Sequence, residues 1–259
     1  MIQHWVPARY ARTAEYLFPA SQQAVAGLGL RHGDVLLDSA TGTGNAAVVA
    51  LHHGARVIGV DSSPAQIAAA RERLPTTDAE FVVADAEDLP FPTAYADAGV
   101  SVFGIIFAHD PAHALSELVR CVRPGGPVAF TTLSADGWPN EARRILANEL
   151  NAPPPPFPSV WRDPEAVGEA AANAGLETIE VRSHSLRLRL DDERSLADQV
   201  AERMGGLAAM RTQLETLDRW HQASARLSEY LYACPHFDTN TSELVDPYLL
   251  VTGRKRRTE

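Results

Sequence analysis

Cysteine is scarce: only Cys121 and Cys234 occur, far apart and without CxxC or Cys/His ligand spacing, so the sequence indicates neither a structural disulfide nor a metal site. Both read as ordinary thiols. Basic residues are in deficit, 23 against 33 acidic ones, and the net charge of −10 repels polyanions and argues against a nucleic-acid partner. The local exception, Arg254-Lys255-Arg256-Arg257, reads as a solvated basic tail. Long apolar runs are missing as well. The longest, Ala98 to Ala108, stops at His109 and Asp110, short of the roughly 18 residues a spanning helix needs. Met1 to Tyr10 has neither a basic n-region nor an apolar h-region, so a cytoplasmic location without a membrane span is expected. Charged residues are 22% of the 259 and hydrophobic ones 45%, too apolar a balance for a disordered chain.

What is present is a rhythm. From Val35 to Leu133, short apolar runs alternate with amphipathic stretches, as parallel strands joined by crossover helices do. Strands are expected at Val35 to Asp38, Arg56 to Val60, Glu80 to Val83, Ala98 to Phe103 and Val128 to Thr132, nearly all continuous as buried parallel strands should be. Ser63-Pro64, Asp110-Pro111 and Asp163-Pro164 each set a capping side chain before a proline at the first helical position. Gly54, Gly125-Gly126 and Gly175 mark helix ends.

The second half reads differently. Proline fills positions 153–156 and recurs at 158, predicting an extended connector. Between Asp191 and Ala233, Leu196, Val200, Met204, Leu207, Met210, Leu214, Leu217, Trp220 and Leu227 step mostly by three and four, interrupted at Gly205-Gly206, which predicts a helical pair. Tyr248 to Thr252 could add to the sheet's edge. The expected organisation is N-terminal lid helices over 1–34, an α/β core over 35–135, a connector with the last core units over 136–190, a helical cap insertion over 191–240, and a closing strand with basic tail over 241–259.

The most informative stretch is Leu37-Asp38-Ser39-Ala40-Thr41-Gly42-Thr43-Gly44-Asn45, a strand running into a small-residue turn and then a helix. Glycines at 42 and 44 permit positive φ and remove the Cβ atoms that would keep a ligand from the main chain. Gly42-x-Gly44-x-x-Ala47 also satisfies the loose dinucleotide fingerprint, which keeps a nicotinamide cofactor open at this point. Arg56 to Asp61 is a buried strand ending in a carboxylate, suited to accept both hydroxyls of an adenosine ribose. Asp85, just after the third strand, is placed to receive an adenine amino group, which a dinucleotide fold does not demand.

In order, Leu37 to Gly44, Val60-Asp61-Ser62-Ser63-Pro64, Ala84-Asp85-Ala86-Glu87-Asp88-Leu89-Pro90-Phe91 and Leu118 to Gly126 resemble class I S-adenosylmethionine-dependent methyltransferases of the ubiquinone/menaquinone-biosynthesis (type 11) branch. The resemblance implies a Rossmann-like, doubly wound, seven-stranded sheet, mostly parallel with an antiparallel edge strand, carrying N-terminal and C-terminal helical cap elements. It implies S-adenosylmethionine as cofactor, with Asp38, Ala40, Gly42 and Gly44 around the methionine part, Asp61 and Ser62 at the ribose, Asp85 and the Ala86 backbone at adenine, and Phe103 in the same cleft. Many members have glycine where this chain has Ala40.

Methyl transfer needs chiefly alignment of a nucleophile with the S–CH3 bond, without metal or covalent intermediate. A hydroxyl or protonated-amine acceptor also needs a base. His109, delivered beyond the fourth strand, is the first candidate, against a plain loop histidine with Asp110 as helix cap. Trp5, Tyr10 and Tyr16 are candidate lid or acceptor contacts, with core packing as the alternative. The expected acceptor is a small-molecule metabolite methylated on O, N or C. The competing readings are a non-catalytic protein that binds S-adenosylmethionine or S-adenosylhomocysteine and an NAD-dependent oxidoreductase. Oligomeric state is not readable.

Overall fold

The computed structural model describes residues 7–153, 159–191 and 193–257. Trp5 and most of the proline-rich connector lie outside the described residues, and of Tyr10 only the backbone is described. Apolar side chains alternate in facing along the central strand β1 (Val35–Ser39), so that Leu36 packs into one hydrophobic cluster and Leu37 into another. A strand buried on both faces needs partners on both edges. It pairs in parallel with β2 (Arg56–Asp61) on one side and β4 (Ala98–Val102) on the other. β3 (Ala79–Val83) and β5 (Pro127–Leu133) extend the parallel array outward.

Two later strands complete the sheet. β8 (Glu243–Lys255) runs antiparallel to β5, and β6 (Leu176–Arg189) pairs antiparallel with its far side, giving the order β3-β2-β1-β4-β5-β8-β6. The two-residue β7 (Phe237–Asp238) also pairs with β8. The mostly parallel sheet of seven main strands agrees with the sequence reading. Its antiparallel strand stands one place in from the edge, because β6 takes the outermost position. β6 alternates charged and apolar residues along an edge, and Thr178 at φ 49 absorbs the register shift between Glu177 and Glu180.

Both faces are covered by helices. On one side lie α1 (Pro7–Ala26), α2 (Asn45–His52) and α3 (Pro64–Arg73); on the other lie α4 (Pro111–Cys121) and α6 (Pro164–Asn173). The three predicted caps form: Ser63 accepts from the Gln66 N–H, Asp110 from those of Ala112 and His113, and Asp163 from that of Ala166. α5 (Trp138–Glu149) follows β5.

Three helices, rather than the expected pair, fill the stretch between β6 and the final strands: α7 (Leu196–Arg203), α8 (Gly205–Thr216) and α9 (Trp220–Ala233). Met204 is extended and ends α7, and Asp218 at φ 54 turns the chain between α8 and α9. Leu196, Val200, Leu214 and Leu227 join the same cluster as Leu36 and Ala46, so these helices share the core of the sheet. Cys121 and Cys234 are separate buried thiols.

Of the basic run, Arg254, Arg256 and Arg257 are exposed, as a solvated segment should be, while Arg254 and Lys255 belong to the end of β8. Lys255 donates to the carbonyls of Arg120 and Val122, Arg254 to that of Gly125 and Arg256 to that of Ala172, each at 2.8–2.9 Å. The carbonyls left over at the C-terminal ends of α4 and α6 attract cations. Among the described residues no helix is long and apolar enough to cross a membrane.

Gly59 lies where β2 backs onto the glycine turn. A Cβ there would stand 2.6 Å from the Phe81 ring and 3.0 Å from the Thr41 methyl. Gly59→Ala should therefore destabilise the chain by about 1–3 kcal/mol through overpacking, read as a lower urea midpoint at unchanged slope.

Candidate functional site

The carboxyl ends of β1, β2 and β4 meet at one turn. After Ser39 the backbone enters the left-handed region at Ala40 (φ 57), Gly42 (φ 57) and Gly44 (φ 84). For Ala40 that conformation costs roughly 1–2 kcal/mol, which gives glycine at this position a physical reason. Its methyl is accommodated by Gly104, where a Cβ would stand 2.5 Å from that of Ala40. Ser101 stitches the two strand ends, donating to the Ser39 carbonyl at 2.7 Å and accepting from the Ile105 N–H.

Two carboxylates sit at this turn. Asp61, at the end of β2, accepts the Gly42 N–H at 3.0 Å on one oxygen and the Ser63 N–H at 2.9 Å on the other. It stays partly accessible, and each oxygen keeps a lone pair for a further donor. Asp38 is fully enclosed beneath the turn, accepting from the Thr41 hydroxyl at 2.6 Å and from the Ala47 N–H in the first turn of α2. Burial pushes the Asp38 carboxyl up to about 7; the Thr41 and Ala47 donors oppose this, and the nearby Asp61 adds to it. Burial also raises Asp61 above the usual carboxylate range. Two crowded acids of this kind favour a cationic ligand.

α1 closes one side of this cleft. Asn45 donates to the Ala14 carbonyl at 2.6 Å, fixing the helix over the turn. Leu17 and Ser21 of α1 line a small cavity together with Asp38, Ala40, Thr43 and Val102. Among the described residues the buried Ser21 hydroxyl has no hydrogen-bond partner. An unsatisfied donor beside a carboxylate is a place for a small polar group, such as an amino acid's ammonium and carboxylate ends. Ser21 and Asn45 escaped the sequence reading because only tertiary packing brings α1 to the turn.

The remaining candidates divide. Ser62 is exposed next to Asp61, and Asp85 is exposed beyond β3, where its carboxylate accepts the Glu87 N–H at 3.0 Å; Ala86 is partly buried beside it. The Ala84 N–H bonds to the Asp61 carbonyl at 3.2 Å, so the loop carrying Asp85 adjoins the end of β2. Phe103 takes a left-handed φ of 49, donates its N–H to the Thr131 hydroxyl, and sets its ring edge-on to Tyr248 at 5.4 Å. His109 is exposed, its backbone N–H and that of Asp110 bonded to one oxygen of Glu87. It therefore stands beside the Asp85 loop. Tyr16 is buried and donates to Asp246 at 3.1 Å, a core role.

Residues 37–130 match the model of a family described as a methyltransferase domain. The demethylmenaquinone methyltransferase of Clavibacter sepedonicus is 37% identical over 108 residues, 41% of this chain and 44% of that protein. The YcgJ protein of Bacillus subtilis superposes with a TM-score of 0.64 at 18% identity, over 93% of this chain and all of its own. A phosphoethanolamine N-methyltransferase of Haemonchus contortus, solved with phosphomonomethylethanolamine and S-adenosylhomocysteine, superposes with a TM-score of 0.58 at 19% identity, over 92% of this chain and 53% of its own. The chain spans about half the length of the curated relatives it matches.

The raised Asp38 sets a pH dependence. A carboxyl that stays protonated to about 7 in the fold but ionises near 3.8 when unfolded stabilises the fold fully below 3.8. That stability is lost as pH rises through about 7, by up to about 1.4 kcal/mol per pH unit. Asp38→Asn should flatten part of the fall in unfolding free energy between pH 5 and 7, checked by urea titrations across that range. A slope identical to that of the parent chain would contradict the assignment.

Proposed function

With residues 37–130 belonging to the methyltransferase-domain family as premise, we propose that this chain uses S-adenosylmethionine to methylate an O, N or C atom of a small-molecule acceptor. The observation that carries the reading is the pair of acids at the glycine turn. Burial raises both carboxyls and Asp61 lies close enough to Asp38 to raise it further, in a cleft where two cationic centres, an ammonium and a sulfonium, would relieve them.

The residues fit that cofactor in detail. Asp61 has spare lone pairs for two ribose hydroxyls, and Ser62 stands beside it. Asp38, the Ser21 hydroxyl and the turn at Ala40, Gly42 and Gly44 would take the methionine end. Asp85 and the Ala86 backbone would take adenine, and Phe103 would wall the cleft near the reacting centre. In this reading α1 acts as a lid over the turn through Leu17 and Ser21.

When bound, the cofactor supplies a methyl on a positively charged sulfur, already an excellent leaving group. The task left to the chain is to align the acceptor and exclude water, which can be worth roughly 7–11 kcal/mol in favourable cases. An acceptor that must lose a proton also needs a base, and His109, with its imidazole exposed on the loop after β4, is the side chain we assign to it. A small acceptor is supported by the net charge of −10, which repels a polyanion.

Isothermal titration should detect S-adenosylhomocysteine binding, and Asp61→Ala should weaken it by about 1.5–3 kcal/mol. Binding of NADH in its place would reject the assignment. His109→Ala should leave that affinity unchanged and lower the single-turnover methylation rate at least about a hundredfold. Parent-like turnover in this variant would leave alignment as the whole catalytic device.

A further inference from the structure

α5 carries two adjacent arginines with opposite surroundings. Arg144 is exposed and paired with Glu141 on the same helix. The guanidinium of Arg143 is deeply enclosed, and among the described residues it forms neither a hydrogen bond nor an ion pair. Part of the residue's surface stays accessible. Burial holds it below the usual arginine range, and the nearby Arg162 adds to that shift. A buried cation without a partner is unfavourable unless something else supplies the opposite charge.

The carboxylate that faces it does not do so. Asp246 lies beyond ion-pairing distance of Arg143 and accepts the Tyr16 hydroxyl at 3.1 Å. Burial raises its carboxyl to about 7, which weakens it further as a counter-ion near neutral pH.

Arg143 meets the start of α8. Its Nε and Nη2 atoms stand 3.7 Å from where a Cβ of Gly206 would lie. Gly206 is in the first turn of that helix, whose N-cap residue Met204 provides no side-chain cap. The N–H of the preceding Gly205 goes to the Thr13 hydroxyl, which in turn donates to the Arg203 carbonyl and so pins the break between α7 and α8 to α1. A helix N-terminus capped only at Gly205 and a guanidinium unpaired among the described residues thus converge at one point, and both attract an anion.

Contacts run from this point toward the glycine turn by way of Asp246 and α1. Tyr16, bonded to Asp246, is followed along α1 by Leu17, which lines the cavity over Asp38. We propose that Arg143 and the open first turn of α8 bind the anionic group, a carboxylate or a phosphate, of the methyl acceptor. The role as acceptor site rests on the methyltransferase reading above; the anion site itself does not. In a chain with a net charge of −10, an enclosed cation selects an anion that the surface as a whole would repel.

The test uses the full chain saturated with S-adenosylhomocysteine, titrated calorimetrically in low-salt chloride buffer with sodium benzoate and, separately, with inorganic phosphate. At least one anion should bind saturably, benzoate alone indicating a carboxylate acceptor and phosphate alone a phosphorylated one. Arg143→Met should weaken that binding at least tenfold with S-adenosylhomocysteine affinity unchanged, and Arg143→Lys, which keeps the charge and loses the fork, should fall between. Failure of both anions to bind the parent chain, or equal binding by Arg143→Met, overturns the proposal. If Arg143→Met does not fold, the parent titration and Arg143→Lys decide. Failure of S-adenosylhomocysteine to bind would sink the cofactor reading, while the anion titration would still judge the site.

Discussion

One carboxylate holds the functional end of this molecule together. Asp61 bonds the Gly42 N–H across from β1 and the Ser63 N–H of its own strand's exit, so the glycine turn and the start of α3 are fixed to the same two oxygens. Both bonds are charge-assisted and strengthened by partial burial. With Gly42 fixed, the left-handed backbone of Ala40 and Gly44 is held too, and Asp38 is sealed below. The acid that would recognise a ribose is thus also the acid that shapes the turn around it. Structure and recognition cannot be varied separately here.

Local chemistry is what the sequence exposes best. The caps at Ser63, Asp110 and Asp163 were legible because each is settled by the side chain and the proline beside it. The buried parallel strands were legible as apolar runs. β6 was not, because it carries exposed charged residues on both faces, Arg182 on one and Arg187 on the other, and only Leu176, Leu186 and Leu188 of it are fully buried. The break between α8 and α9 was hidden for a different reason. Leu214, Leu217 and Trp220 keep a helical three-residue step across it, although Leu217 is 55% exposed and belongs to a turn.

The site divides along the same line. Asp38, Asp61 and the glycines belong to a contiguous strand-turn pattern, and the structure gathers them. Ser21 and Asn45 reach the cleft only through the docking of α1, and Arg143 gains its meaning from Gly206, 63 residues away by sequence number. No periodicity announces such meetings. The role of Lys255 was hidden for a related reason: composition cannot tell a cation in water from one that satisfies a helix end.

The placement of β8 bears on how the chain assembles. It is the last strand in chain order, yet it lies between β5 and β6 and bonds to both along most of their length. Until residues 243–255 have left the ribosome, β5 presents a bare row of amide and carbonyl groups, and β6 has no neighbour in the sheet at all. Such an edge is open to pairing with another nascent copy, and closing it demands contacts of high sequence separation, the slow kind. Folding of this sheet is therefore most vulnerable until a single ribbon has slid between two waiting ones.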